Sequence, residues 1–147
     1  MSPKNRVELV ETQFSESESL SESLLRIRIG NASRNHLSKL LVARSNSQEV
    51  GYVVLDFWDK TVGLVLYEIF VLPGQKGRGY GTSILEEVFA IAEISDYEKV
   101  IVRPNSIEST SDKEEYEQVH ERLVQWYAKM GFEDSGDGQM DRIILTM

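Results

Sequence analysis

Four glycines lie within eight residues, between an apolar run and a helical pattern, and no other stretch constrains the fold of this chain as strongly. The run before them, LVLYEIFVL (Leu64–Leu72), is apolar almost throughout, as is typical of a strand that is covered on both faces. After them, apolar residues recur at helical spacing, and KVIV (Lys99–Val102) predicts another buried strand. Strand, helix and strand within about forty residues indicate a right-handed parallel crossover.

The remaining patterns predict further strands and one more helix. A helix is predicted from Asp112 to Met130, with Gly131 as its C-terminal cap. The Ser/Glu-rich segment Ser15–Ser23 is either a helix start or a solvated loop. The strand predictions are Arg6–Glu11 (RVELVE), Leu24–Ile29 (LLRIRI), Leu37–Arg44 (LSKLLVAR), Glu49–Trp58 (EVGYVVLDFW) and Arg142–Met147 (RIILTM), of which the third and fourth are expected to form a hairpin.

Length, charge and composition narrow the classes of function. A chain of 147 residues predicts a single domain, residues 1–147, with one core and one main site. The net charge of −8 argues against nucleic acid or an anionic membrane as a partner, since their phosphate groups would be repelled. The absence of cysteine excludes disulfides, thiolate metal sites and a cysteinyl intermediate. No apolar stretch forms a signal sequence or approaches the roughly 20 residues of a membrane helix, so we expect a cytoplasmic protein. We also expect it to use no metal.

The glycine-rich turn predicts an anion site, because a helix that begins there presents free backbone N–H groups and the positive end of its dipole. Three familiar motifs do not fit this turn. A Walker loop needs a lysine after its last glycine, but Gly81 is followed by a threonine and a serine. A dinucleotide-binding loop needs a third glycine, which is missing after Gly77 or Gly79. The nucleophile elbow of serine hydrolases fails because GTSIL ends in Leu85.

KGRGYG (Lys76–Gly81) resembles the acyl-CoA pyrophosphate loop of the GNAT family, the Gcn5-related N-acetyltransferases, whose pattern is Arg/Gln-x-x-Gly-x-Gly/Ala. Lys76 departs from this pattern, and Gln75 could replace it only with a shifted spacing. WYAKMGF (Trp126–Phe132) resembles the C-terminal motif of the family, with His120 where many members have an asparagine seven residues before the tyrosine. By this resemblance the cofactor-binding residues are Ile69, Phe70, Val71, Lys76, Gly77, Arg78, Gly79, Tyr80, Gly81, Thr82 and His120.

The resemblance covers the chain from about Leu37 to its end and implies an α/β (α+β) fold. The implied central sheet is mixed and mostly antiparallel, is flanked by helices, and has a V-shaped split between its central parallel strands. In the family this split leaves backbone N–H groups free for the pantetheine arm and the thioester oxygen, which assigns that role to Ile69, Phe70 and Val71 here.

Two side chains are candidate catalytic residues under the same resemblance. Tyr127 matches the residue that protonates the departing CoA sulfur in many members. Alternatively, Tyr127 is an aromatic residue of the core. Glu68 is a carboxylate inside an apolar strand, where burial is costly without compensation. It is either a base or amine anchor, or a side chain that reaches solvent at the cleft. His120 is either a residue of the cofactor groove or a surface residue.

The expected activity is acetyl-CoA-dependent N-acetylation of a primary amine, on a small molecule or a lysine side chain, by direct attack in a ternary complex. The acidic composition mildly favours a cationic acceptor. One alternative is a catalytically inactive acyl-CoA-binding sensor, favoured by Lys76 and His120, and another is an interaction domain without a ligand. The segment Arg103–Gln118 either shapes the acceptor site or extends the last helix. The oligomeric state is left open, with a homodimer as one option.

Overall fold

The computed structural model describes residues 6–14, 20, 25, 29, 38–75, 79–104 and 113–144. Within these residues, seven strands form one sheet in the order β1-β2-β3-β4-β5-β7-β6. The helices with described bounds are α1 (Tyr80–Ile94) and α2 (Lys113–Lys129), and a 3-10 turn covers Pro73–Gln75. The strands are β1 (Glu8–Thr12), β2 (Ser38–Ser45), β3 (Gln48–Asp59), β4 (Gly63–Val71), β5 (Lys99–Val102), β6 (Glu133–Gly136) and β7 (Gln139–Ile143).

The pairing of the strands confirms the predicted mixed sheet. β4 and β5 are parallel neighbours, and α1 connects them as the predicted crossover requires. Every other pairing between described strands is antiparallel. β2 and β3 form the predicted hairpin, and α2 confirms the helix predicted for 112–130.

Two apolar clusters cover the two faces of the sheet. Alternation along β3 directs Val53 and Leu55 into one cluster and Tyr52 and Val54 into the other. The helix-side core includes Val53, Leu55, Leu64, Leu66, Ile84, Leu85, Val88, Val100, Tyr127 and Phe132. The N-terminal core consists of Leu20, Leu25, Ile29, Leu40, Val42, Tyr52, Val54 and Leu72, with Phe14 and Phe70 packed against it.

A β-bulge at Tyr67 changes which side chains of β4 face which core. The residues opposite Leu66 and Glu68 are neighbours on β3, so Tyr67 is an extra residue on β4. Leu66 belongs to the helix-side core before the bulge, and Ile69 packs against the same core after it. Glu68 therefore faces the N-terminal core side, whereas simple alternation would have placed it beside Leu66 in an apolar core.

The predicted strand Leu24–Ile29 is wrong at both of its described residues. Leu25 and Ile29 are helical and fully buried, and both belong to the N-terminal core. Residues four apart lie on the same side of a helix, so these two can reach one core. The alternating letters LLRIRI concealed this helical spacing.

The C-terminal strand begins earlier than predicted. β7 starts at Gln139 rather than at Arg142, and it pairs with β6 in a hairpin that the sequence reading missed. The turn is Asp137-Gly138, with φ values of 53° and 78°. Positive φ at both positions is the conformation of a type I′ turn, which the Asp-Gly dipeptide favours. The described residues end at 144, so the predicted end of this strand lies outside them.

The two segments that the sequence left open lie largely outside the described residues. Of Ser15–Ser23 only Leu20 is described, and it is buried. In the segment 103–118, residues 105–112 are not described, while Lys113–Gln118 form the first part of α2. That part of the segment therefore extends the helix. None of the described helices is long and apolar enough to cross a membrane.

Candidate active site

The sheet is open between β4 and β5 over half the length of β4. β5 pairs with β4 only at Leu64, Val65 and Leu66, and the last of these lies opposite Val102. From Glu68 to Val71, β4 pairs with β3 alone in the part of the chain that the structure describes. The bulge at Tyr67 lies where the two parallel strands separate. This confirms the V-shaped split that the family resemblance implied.

Backbone N–H groups of β4 face into this split. The N–H of Leu72 donates to the carbonyl of Val50 at 2.9 Å, so it points towards β3. Because N–H directions alternate along a strand, the N–H of Phe70 also points towards β3, and those of Ile69 and Val71 point away from it. Of the three predicted backbone donors, Ile69 and Val71 are therefore directed at the split, and Phe70 is paired within the sheet.

The first turn of α1 lies directly after the glycine-rich turn, and its N-cap residue, a glycine, gives it no hydrogen bond from a side chain. Gly79 is the N-cap residue, with a φ of 81° in the left-handed region, and its carbonyl accepts from the N–H of Ser83 at 3.0 Å. The preceding N–H groups of the helix, on Tyr80, Gly81 and Thr82, therefore have no acceptor within the helix. No acidic residue lies in this turn. The positive end of α1 can thus hold an anion.

The predicted residues of this loop differ in what they can offer a ligand. Gly79 is exposed, and a Cβ atom added there would meet no atom within 4 Å. Tyr80 is buried in the helix-side core, so only its backbone remains for a ligand. Gly81 and Thr82 are half-buried. Lys76, Gly77 and Arg78 lie outside the described residues.

Tyr127 is packed as a core aromatic near the end of α2. It is 3% exposed, and its ring lies 5.0 Å from that of Trp126 and 5.3 Å from that of Phe132. Burial raises the pKa of Tyr127 well above its ordinary value, so the phenol keeps its proton at neutral pH. The two roles considered for Tyr127, a core aromatic and a general acid, do not exclude each other, because a buried neutral phenol is still a proton donor.

A glycine cap fixes the end of the helix beside this tyrosine. The N–H of Phe132 donates to the carbonyl of Tyr127, and the N–H of Gly131 donates to that of Ala128, both at 3.1 Å. This pair of bonds is a Schellman motif, and Gly131 has the left-handed φ of 97° that it requires. The predicted glycine cap is thus confirmed, and it places the rings of Phe132 and Tyr127 in a T-shaped contact.

Trp126 connects α2 to the start of α1, a role that the sequence did not predict. A Cβ atom added at Gly81 would lie 3.3 Å from Cζ2 of Trp126 and 3.9 Å from Cγ2 of Val71. The indole therefore lies against the first turn of α1, and the side chain of Val71 lies close to the same glycine. The only sequence feature that could have suggested this contact is that Trp126 stands next to Tyr127 in the motif WYAKMGF. His120 lies two helical turns before Tyr127 and is half-buried.

Glu68 lies on the other face of the sheet from Tyr127. It is half-buried just past the bulge, and its carboxylate accepts a hydrogen bond from the hydroxyl of Tyr52 on β3. Tyr52 belongs to the N-terminal core, whereas Tyr127 belongs to the helix-side core. Tyr52 was not predicted as a site residue.

A carboxylate and a hydroxyl also meet on the exposed side of the bulge. The Tyr67 hydroxyl donates to Oδ2 of Asp56 at 3.3 Å, and Tyr67 is 45% exposed while Asp56 is 3% exposed. Within the described ranges there is no group of three or more histidine, cysteine, aspartate or glutamate side chains arranged to hold a metal ion.

A family match places this geometry among known proteins. The family model of the acetyltransferase (GNAT) domain matches residues 36–134, which are more than half of the chain. The chain belongs to the GNAT acetyltransferase family. The resemblance of the glycine-rich turn and of the C-terminal motif is thus confirmed at the level of the family. No curated protein sequence matches this GNAT chain.

Solved GNAT structures share the fold. A GNAT family acetyltransferase from Staphylococcus aureus Mu50 matches with a TM-score of 0.63 at 17% identity, over 95% of this chain and 99% of that one. A GNAT family acetyltransferase from Elizabethkingia anophelis, with acetyl-CoA bound, matches with a TM-score of 0.61 at 15% identity and the same coverage. The ribosomal-protein-S18-alanine N-acetyltransferase of Escherichia coli matches with a TM-score of 0.64 at 12% identity, over 96% of this chain and 95% of that one. At such identities the likeness shows the GNAT fold alone.

Proposed function

We propose that this protein is an acetyl-CoA-dependent N-acetyltransferase that acetylates a primary amine by direct attack in a ternary complex. The observation that carries the proposal is the split between β4 and β5, with the N-terminus of α1 and its glycine N-cap following the same strand. We further propose that residues 1–147 form one domain with this activity, since a single sheet runs through the described residues from β1 to β7.

The chain offers groups that fit each part of acetyl-CoA. The N–H groups at the start of α1 suit the diphosphate, and the open space around Gly79 leaves room for it. Lys76, Gly77 and Arg78 belong to the same proposed loop. The N–H groups of Ile69 and Val71 suit the pantetheine amides and the thioester oxygen. His120 is proposed to line the groove from α2. The GNAT structure from Elizabethkingia anophelis, which holds acetyl-CoA, supports this choice of cosubstrate.

Bound acetyl-CoA would supply an activated acetyl thioester, and the protein would supply a proton acceptor and a proton donor. The cationic amine first loses one proton to solvent, and the neutral amine then attacks the thioester carbon. Glu68 takes the second proton from this nitrogen, directly or through water, as the new C–N bond forms. Tyr127 gives a proton to the sulfur as the C–S bond breaks. The backbone N–H groups of β4 stabilise the negative charge on the carbonyl oxygen between these events. No covalent acyl-enzyme is needed, in keeping with a chain that has no cysteine.

The acceptor is proposed to be a primary amine that is cationic in solution, such as a polyamine, an aminoglycoside or a lysine side chain. The net charge of −8 supports this class, because it attracts cations to the surface. The Escherichia coli neighbour is described as acting on the alanine of a ribosomal protein, which adds a protein α-amine to the candidates.

Turnover of acetyl-CoA against a panel of amines tests the proposal. The panel contains spermidine, kanamycin, a lysine peptide and a peptide with an N-terminal alanine, and free thiol and acetylated amine are both measured. We expect thiol release that depends on one of these amines and is matched by acetylated product. Binding of acetyl-CoA without turnover would indicate the inactive sensor instead. Absence of binding would indicate an interaction domain without a ligand.

A further inference from the structure

Tyr52 is a tyrosine where a phenylalanine would satisfy the packing. Its side chain is 0% exposed in the N-terminal core, and its ring lies 5.6 Å from that of Phe70. Burying a hydroxyl group costs free energy unless it has a hydrogen-bond partner. The carboxylate of Glu68 is such a partner. Packing alone therefore does not explain why the fully buried Tyr52 carries a hydroxyl that contacts the half-buried carboxylate of Glu68.

The strand register makes this contact possible. Tyr52 pairs with Phe70, and Glu68 pairs with Val54, so Tyr52 and Glu68 are diagonal neighbours on one face of the β3–β4 pair. Aromatic and long side chains can meet across such a diagonal. The bulge at Tyr67 is what turns Glu68 to this face, because it reverses the alternation of β4. The bulge thus both opens the sheet and brings Glu68 to Tyr52.

We infer that Tyr52 is a positioning residue, whose hydroxyl holds the Glu68 carboxylate at the split in the orientation that the amine requires. The inference rests on the proposed role of Glu68 as proton acceptor. A glutamate side chain has several rotatable bonds, and ordering it costs conformational entropy. A rigid, buried phenol supplies that order before the amine arrives. Tyr52 acts only through Glu68 and has no contact with the reacting atoms.

A double-mutant cycle separates this role from a purely structural one. Tyr52→Phe, Glu68→Gln and the double variant are compared with the unaltered protein in acetyl-CoA turnover with the best amine of the panel. The matched control is Tyr97→Phe, which removes the hydroxyl of another buried tyrosine that packs against Phe57 in the helix-side core. Unfolding curves establish that each variant is folded under the assay conditions.

We expect Tyr52→Phe to lower kcat/KM for the amine about tenfold, while KM for acetyl-CoA stays unchanged, since a hydrogen bond to a charged group is lost. In the Glu68→Gln background the same change should have no further effect, because a glutamine amide can accept the hydrogen bond but cannot take the proton, so its orientation no longer matters. Tyr97→Phe should match the unaltered protein. An equal loss from Tyr52→Phe in both backgrounds would overturn the inference in favour of a structural role.

Two other outcomes distinguish the inference from the proposed function. If Glu68→Gln lowers the rate strongly and Tyr52→Phe does not, the positioning role is overturned and the proposed function stands. If the unaltered protein turns over acetyl-CoA and Glu68→Gln has no effect, both Glu68 and Tyr52 lose their roles while the activity remains.

A spectroscopic measurement tests the contact without an acceptor. In protein labelled with ¹³C at the glutamate carboxyl carbons, the Glu68 resonance is assigned by its loss in Glu68→Gln. We expect Tyr52→Phe to shift this resonance and Tyr97→Phe to leave it in place. A Glu68 resonance that does not respond to Tyr52→Phe would overturn the inference, whatever the kinetics show.

Discussion

At the scale of single residues, Tyr127 combines an apolar environment with a polar end. Its ring is enclosed by Trp126 and Phe132, and burial raises the pKa of its hydroxyl. A raised pKa means that the phenol is protonated at and above neutral pH, as a proton donor must be. The same burial makes a Tyr127 phenolate unfavourable. We therefore expect the phenol to give up its proton only as the CoA sulfur becomes basic, and to be protonated again at once.

We predict that Tyr127→Phe lowers kcat by about a hundredfold while acetyl-CoA still binds, because loss of a general acid typically costs that much or more. The unaltered protein should show no loss of activity from phenol ionisation up to about pH 10, since the pKa of Tyr127 lies above the ordinary tyrosine value. Steady-state kinetics and calorimetry measure the two properties. An unchanged kcat would remove the acid assignment and leave Tyr127 as a core aromatic.

The ion pair between Lys99 and Asp141 predicts how stability depends on pH. Burial alone would raise the pKa of Asp141, but hydrogen bonds from Lys99 and Gln139 and the charge of Lys99 outweigh it and lower this pKa. The Lys99 Nζ lies 2.9 Å from Oδ2 of Asp141, in a partly buried contact between β5 and β7. A lowered pKa stabilises the folded state above the unfolded pKa, about 3.9, and this stabilisation is lost as the pH falls through the folded value.

We therefore predict that Asp141→Asn lowers the free energy of unfolding by about 1–2 kcal/mol at pH 7, as expected for a lost charge-assisted hydrogen bond. The difference should shrink as the pH falls below the unfolded pKa of about 3.9 and should vanish once Asp141 is protonated in the folded protein as well. Urea unfolding at several pH values measures this. Glu86→Gln, on the exposed side of α1, is the control and should change little. A difference that stays constant to low pH would contradict the electrostatic account.

At the scale of elements, the two halves of β4 differ in how they pair with neighbouring strands. Its first half pairs on both sides and is buried in the helix-side core, and its second half pairs with β3 alone. The open half depends on close contact with β3 at Gly51. A Cβ atom there would lie 2.1 Å from the carbonyl oxygen of Phe70 and 3.1 Å from the Cα of Val71. Because the obstacle is backbone, it cannot move aside as a side chain could.

We predict that Gly51→Ala destabilises the protein by about 1–3 kcal/mol and weakens acetyl-CoA binding, because β4 must shift where it presents its N–H groups. Gly74→Ala is the matched control, since a Cβ atom there would meet nothing within 4 Å. Urea unfolding and calorimetry with acetyl-CoA give both quantities. If Gly51→Ala unfolds and binds like Gly74→Ala, the close contact does not fix the position of β4.

The elements that sequence predicted best are those with a strong local signal. The apolar run of β4, the four letters of β5 and the glycine after α2 each specify their structure through burial or backbone conformation alone. The helical residues Leu25 and Ile29 were missed because their spacing also fits an alternating strand. The β6–β7 hairpin was missed although Asp137-Gly138 is a recognised turn signal.

The candidate site was predictable only where it follows from local sequence. The glycine-rich turn and Tyr127 lie in recognisable motifs, so their elements were predicted correctly. The contact of Tyr52 with Glu68 depends on a bulge and on the register of two strands, neither of which is encoded in a short stretch. The contact of Trp126 with Gly81 depends on how α2 packs against α1.

At the scale of the whole molecule, one sheet separates two apolar cores and is open at one place. In the open half of β4, Ile69 and Val71 pack against the helix-side core and Phe70 packs against the N-terminal core, where Tyr52 contacts Glu68. Under the proposed function, a thioester in the opening has the face that carries Glu68 on one side and the face that carries Tyr127 on the other. The central claim is therefore that acetyl-CoA occupies the split between β4 and β5, with its diphosphate at the start of α1.

A crystal structure of the protein with acetyl-CoA tests this claim most directly. We predict electron density for the diphosphate at the N–H groups of Tyr80, Gly81 and Thr82, with the thioester carbonyl oxygen within hydrogen-bond distance of the Ile69 or Val71 N–H. The sulfur should lie on the side of Tyr127, and the acetyl carbon should be open towards Glu68. Acetyl-CoA bound elsewhere on the surface, or a split between β4 and β5 that stays empty under saturating acetyl-CoA, would contradict the account.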